Sequence, residues 1–379
     1  MPENSQKIDF ILLSAVAAIV VLGILILSSA SAFLSQAKYH DSYYLLKHQL
    51  LLGVFPGLLL GFVAFKIPVD WFRKFAPYLM VLMVLSLIAV FVPVLGKQAG
   101  GAQRWIQIGS QSVQPSEILK FIFVIYLASW LSTHSLKHPG MRKKNSGDEA
   151  PISPLAPFLV VLGLVGVLVI MQPDLSTFGI IASAAVCMYF AAGTPIKHLF
   201  FIAVAGSLIL LALVYLEPYR WSRFASWMSP QADPMGSGFQ ANQALIIASS
   251  GGVLGQGFGS TASKYTMLPE LIGDSVFAPY AAETGFVGCI LLVSLYAVFV
   301  WRCLLIAGKS SGPFERLASV GVAVWFAVQS VLNIASTLRL VPLSGVPLPL
   351  ISYGGTAMMV ELTATGFMLN LSRHLGRRF

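Results

Sequence analysis

The sequence predicts an all-α, polytopic membrane protein of about ten transmembrane helices, and three observations carry that prediction. Charged residues make up 10% of the 379 and hydrophobic ones 56%, where a soluble domain has about 25% charged. Mean hydropathy is +0.79. Apolar runs of about 20 residues, the length that crosses a hydrocarbon core, recur along the whole chain. A soluble fold of this size lacks the charge to cover its surface. The same composition excludes a disordered scaffold and a disulfide-rich secreted module.

The apolar runs lie near 10–32, 49–66, 76–95, 116–134, 154–172, 175–193, 197–217, 276–306, 316–338 and 353–372. The first imitates a signal peptide, because Ala30-Ser31-Ala32 resembles a cleavage site. Its apolar run is too long, however, and its leading residues carry Glu3 and Asp9 against Lys7. A cleaved signal has a basic start and an apolar run of about 7–15 residues, so a retained first span is expected. The longest connection, about 218–275, falls between helices 7 and 8. No soluble domain or solenoid repeat interrupts the pattern, so residues 1–379 read as one membrane domain.

The net charge of +9 does not point to nucleic acid. Basic residues of a membrane protein gather in cytoplasmic loops. With both termini inside, the inner segments take the larger share, including Lys66, Arg73, Lys74, Arg142-Lys143-Lys144, Arg302, Lys309 and Arg316. The long connection is then outside and holds Arg220, Arg223 and Lys264. Cys187, Cys289 and Cys303 sit in apolar runs with neither disulfide nor metal spacing. The six histidines do not cluster, so a His-ligated metal is not expected.

The expected outer connections are rich in Gly, Pro, Gln, Ser and Trp. They read GKQAGGAQRWIQIGSQSVQPSEILK at 96–120, Gln172-Pro173-Asp174, the 218–275 connection, and VPLSGVPLPLISYGGT at 341–356. Such backbone turns tightly or re-enters, and is tolerated only in protein or beside a water-filled cavity. Polar loops converging on one face would build an exterior site. Glu117 and Lys120 lie three apart on one helix face, as a structural ion pair or as part of that site. Glu283 and Glu361 fall inside spans, where carboxylates are costly and find partners. Asp274 stands where the long connection meets span eight; by position alone it caps a helix.

In order, these motifs resemble the SEDS family (shape, elongation, division and sporulation) of FtsW/RodA-type proteins. The resemblance rests on Arg104-Trp105 with Gly109, Gln114-Pro115-Ser116-Glu117, and Gln172-Pro173-Asp174-Leu175. It continues through Tyr219-Arg220 with Arg223, the Gly-rich 251–259 stretch, Leu268-Pro269-Glu270 before Asp274, and Leu348-Pro349-Leu350-Ile351-Ser352-Tyr353-Gly354-Gly355. The chain departs from the family pattern at Gly273, at Ala282 where a glutamate is usual, at Arg339 and at Ser176.

The resemblance implies a peptidoglycan glycosyltransferase in the bacterial cytoplasmic membrane, polymerising lipid II at the outer face for division or elongation. It leans towards the division type. Asp274 becomes the leading catalytic residue, as general base. Arg104, Glu117, Lys120, Asp174, Arg220, Arg223, Lys264, Glu270, Glu283, Ser352 and Tyr353 become expected substrate contacts, although Arg220 and Arg223 also suit headgroup anchoring. No cofactor is demanded; a divalent cation (Mg or Mn) assisting the pyrophosphate is the one candidate. A class B penicillin-binding protein transpeptidase is the implied partner, within membrane lipid and without nucleic acid. The competing readings are a lipid II flippase or transporter, and a scaffold that recruits other cell-wall enzymes.

Overall fold

The computed structural model describes residues 8–99, 102–109, 111–134, 155–229, 237–259 and 272–374. Lys264 and Glu270 lie outside the described residues.

Each expected apolar run overlaps a helix, although the run expected from 76 belongs to a helix over Val69–Ala89. In chain order the helices are α1 (Phe10–Ala30), then α2 (Ala32–Tyr39) and α3 (Tyr44–Gln49) between the expected runs, a π-helical turn (Leu50–Val54) leading into α4 (Phe55–Lys66), and α5 (Val69–Ala89). Then come α6 (Pro115–His134), α7 (Leu155–Met171), α8 (Leu175–Ala191) and α9 (Ile196–Leu216). After two helices within the long connection follow α12 (Phe277–Lys309), α13 (Pro313–Thr337) and α14 (Gly355–Arg373). Among the described residues, seven helices are long and apolar enough to cross a membrane; α7 and α8 are apolar but shorter. The protein is a multi-pass membrane protein. α9 shows the lipid-facing character most plainly, with Phe200 72% and Leu211 67% exposed.

α14 is the opposite case. Glu361, Thr365 and Asn370 lie on it, and all are buried. It packs most extensively on α4. A Cβ on Gly61 would meet Leu362 O, and one on Gly366 would meet Gly61 itself, so small residues let the two backbones approach, as membrane helix pairs commonly do.

Two details go beyond the sequence expectation. First, the 96–113 connection is a three-stranded antiparallel sheet: β1 (Gly96–Ala99), β2 (Ala102–Ile108) and β3 (Gln111–Val113), in that order. In β2, Ile106 pairs with Gly96 on one side and Val113 on the other. Second, the long connection contains α10 (Pro218–Met228) and α11 (Ser237–Ser249). An amphipathic α10 and an α11 packed on α12 account for a connection too long to be structureless in a compact fold.

α12 is broken at Gly285 (φ 68°, ψ −169°). A break leaves orphan N–H and C=O groups. The Gly-rich loop after α11 satisfies both sides. Gly252 O and Val253 O accept from Phe286 and Val287 N–H, while Gln256 and Gly257 N–H donate to Ala282 O and Glu283 O. A Cβ on Gly251 would meet the Ala281 and Ala282 backbone, so only glycine at 251 lets this loop approach the break.

Candidate active site

Residues 341–354, between α13 and α14, form neither helix nor strand, yet Val346, Leu348, Leu350 and Ile351 are buried. Irregular backbone enclosed in this way needs a partner for each polar group. Side chains from the surrounding helices supply them. Arg223 Nη1 on α10 donates to Leu343 O at 3.1 Å, and Ser176 Oγ on α8 donates to Ser344 O at 2.6 Å. Asn333 and Gln329, one turn apart on α13, donate to Val346 O at 2.8 Å and Pro347 O at 2.9 Å. Tyr296 OH on α12 donates to Pro349 O at 2.5 Å. Glu361 Oε2 accepts from Leu350 N–H at 2.7 Å. Gln49, closing α3, donates to Ser352 O and accepts from Gly354 N–H. The departure at Ser176 therefore adds a clamp.

The same loop grips the segment that carries Asp274. Tyr353 N–H donates to Ile272 O at 2.9 Å. Ser352 Oγ donates to Gly273 O at 2.6 Å while accepting from Leu348 N–H. Asn333 Nδ2 donates to Asp274 O at 2.7 Å. Three consecutive carbonyls are thus held, and the Asp274 side chain stays partly exposed. Gly345 marks where that side chain lies. A Cβ built on this glycine would sit 3.4 Å from Asp274 Oδ2 and 3.9 Å from Arg223 Nη1. Gly345 is at φ 68°, a left-handed backbone that costs other residues about 1–2 kcal/mol. A carboxylate and a guanidinium therefore border one spot that carries no side chain.

Glu117 and Lys120 are differently placed. Their ion pair, 2.7 Å long, is 4% and 1% exposed. Lys120 Nζ also donates to Gln329 Oε1 at 2.7 Å and lies over the Trp325 ring. Gln329 in turn donates to Glu361 Oε1 at 3.1 Å. Neither partner offers an atom to a substrate in this arrangement; the pair supports the loop through Gln329.

The other expected contacts surround the centre. Arg104 on β2 donates from Nε to Gln172 O at 2.8 Å and from Nη2 to Pro173 O, tying the sheet to the α7–α8 turn. Asp174 is the N-cap of α8, accepting from Thr177 N–H and from Ser116 Oγ. Arg220 donates to Leu213 O and Ile170 O. Glu283 accepts from Ser29 Oγ on α1 at 2.5 Å. Tyr353 OH is hydrogen-bonded to His48 Nδ1 at 2.9 Å. Arg339, at φ 57°, donates to Asn242 Oδ1 and Trp227 O, joining α10 and α11 to the end of α13. The structure brings Asp274, Arg223 and Ser352 together, with Tyr353 adjacent, while Arg104, Asp174, Arg220 and Glu283 bond to other parts of the chain.

Sequence reasoning missed Gln329, Asn333 and Gln49. Two amides one turn apart inside an apolar span were the available signal, since polar groups within the membrane face the bundle and find partners.

The four polar connections thus meet at one end of the bundle, around an irregular loop and a partly exposed aspartate. The family model described as "Cell cycle protein", covering FtsW, RodA and SpoVE, matches residues 10–377. The chain belongs to this family. It is 36% identical over 371 residues to the probable peptidoglycan glycosyltransferase FtsW of Thioalkalivibrio sp. (strain K90mix), covering 97% of this chain and 90% of that one. It is 33% identical to the stage V sporulation protein E of Bacillus subtilis (strain 168), over 99% of both chains. Among solved structures it resembles a chain of a peptidoglycan synthase complex that coordinates polymerization and crosslinking (TM-score 0.78, 26% identity, 98% of this chain and 99% of that one). It also resembles the rod shape determining protein RodA of Thermus thermophilus (TM-score 0.69, 26% identity, 97% of each).

Proposed function

We propose that this protein is a peptidoglycan glycosyltransferase that polymerises lipid II at the outer face of the bacterial inner membrane, with both termini cytoplasmic. The observation that carries the reading is the meeting of Asp274 and Arg223 at Gly345. The acceptor is a sugar 4-hydroxyl, a weak nucleophile at neutral pH that needs a base within hydrogen-bond reach. Asp274 takes its proton as the oxygen bonds to the anomeric carbon of the donor. The bond from that carbon to the pyrophosphate breaks, and the lipid pyrophosphate leaves with the electron pair. Direct attack inverts an α-linked donor to a β-linkage. The leaving group is anionic and needs positive charge rather than a proton, which Arg223 provides.

Among the described residues no three metal-ligating side chains converge. Magnesium is commonly held by one or two carboxylates together with substrate phosphates, and Asp274 fits that role. A Mg or Mn ion there would add positive charge beside the pyrophosphate.

The likeness to a chain of a complex that coordinates polymerization and crosslinking favours a transpeptidase of the class B penicillin-binding type as partner. The FtsW relatives favour a division role. A flippase reading is not favoured, because the polar groups gather at one end of the bundle rather than at a midplane between repeats. Purified Asp274→Ala with lipid II tests the proposal. Loss of glycan polymer from a folded variant is the expected result, and undiminished polymer overturns it.

A further inference from the structure

The structure assigns Asn333 as a positioning residue that holds Asp274 in its reactive orientation. This rests on the proposed role of Asp274 as the base. Asn333 lies in the last third of α13, fully buried. Its Nδ2 donates both of its protons, one to Asp274 O at 2.7 Å and one to Val346 O at 2.8 Å. Among the described residues its Oδ1 has no hydrogen-bond partner. The amide thus serves here as a double donor, a task that aspartate and leucine of similar size cannot perform.

The two acceptors lie on the two strands of chain that meet at the spot facing the carboxylate. One is the backbone of Asp274 itself. The other is the residue after Gly345, whose Cβ direction points at Asp274 Oδ2 and Arg223 Nη1. One side chain therefore fixes the separation between the carboxylate's own backbone and the loop bordering it. Gln329, one turn earlier, reaches Pro347 O and Glu361 but has no bond to the 272–274 segment. The two amides thus divide the work: Gln329 braces the loop, and Asn333 couples the loop to Asp274. A general base displaced by about 1 Å loses on the order of 100-fold in rate even when nothing else changes.

The experiment measures kcat, KM and thermal midpoint for purified Asn333→Leu, Asn333→Asp and Gln329→Leu with lipid II, beside Asp274→Ala. Both Asn333 variants are expected to lower kcat per folded molecule by about 10- to 100-fold, with KM within twofold. Gln329→Leu is expected to lower the thermal midpoint and to reduce kcat per folded molecule less than either. A wild-type kcat in folded Asn333→Leu overturns the assignment, as does a loss expressed in KM alone. Failure of both Asn333 variants to fold also overturns it, because the role is then structural. Full activity in Asp274→Ala would instead sink the underlying reading of the base, whatever the Asn333 variants do.

Discussion

Two polar clusters share the interior of this bundle, and they are built to opposite plans. Around Glu117 and Lys120 the charges close on one another: the pair is 4% and 1% exposed, and its outward bonds end on Gln329 and Trp325. Around Asp274 the protein grips backbone and leaves the side chain partly open: Tyr353, Ser352 and Asn333 hold three successive carbonyls, while the carboxylate faces Gly345. A charge whose partners are all internal contributes to architecture. Under the proposed function, the partly exposed charge on a fixed backbone is the one that takes the proton. The two clusters touch through α13, where Gln329 belongs to the first and Asn333 to the second.

Substitutions can break or sharpen that contrast. The largest expected effect is Asp274→Ala, which removes the proposed base and lowers polymerisation by about 100-fold or more without moving the thermal midpoint. Lys120→Met should do the reverse. It strands Glu117 in the interior and costs about 3–5 kcal/mol of stability, read as a fall in folded yield and thermal midpoint, while the rate of the remaining folded molecules changes far less. Adding Glu117→Gln should recover most of the loss, since an apolar or neutral replacement of a whole buried pair is often tolerated.

Ser352→Ala tests the grip on the backbone. It leaves Gly273 O and Leu348 N–H without their partner, at about 1–3 kcal/mol, and thermal denaturation in detergent measures it. The smallest effect belongs to the exposed pair between α2 and α3. The hydrogen bond from Lys47, with that from Tyr43 N–H, holds the Asp41 carboxyl below its ordinary value. Its stabilisation is present above that ordinary value and fades as pH falls through the lowered one. Both side chains of the pair are open to solvent, which screens it, so Asp41→Asn should lower the thermal midpoint at neutral pH by less than Lys120→Met or Ser352→Ala does.

The membrane helices were legible in the sequence for a plain reason: a hydrocarbon core demands about 20 apolar residues per crossing, and that demand leaves a visible run. α5 shows the limit, beginning at Val69 rather than near 76 because Asp70, Trp71, Arg73 and Lys74 fit an interfacial first turn. The sheet at 96–113 was not legible, since β1 and β3 are short and the apolar residues of β2 do not alternate with its polar ones. Asp274 and Ser352 were named from motifs, but nothing local reveals that Ser352 reaches back 79 residues to Gly273. Asn333 and Asp274 are 59 apart in sequence. Contacts of that range depend on the packing of α12, α13 and α14, which no local periodicity encodes.

The most direct test of the contrast is the initial rate of glycan polymer formation from lipid II by Asp274→Asn, which keeps the shape of the side chain and removes only its ability to take a proton. The expected result is a rate per folded molecule lower by about 100-fold or more, at an unchanged thermal midpoint. A rate within twofold of the unmodified protein would contradict the assignment of chemistry to the open cluster.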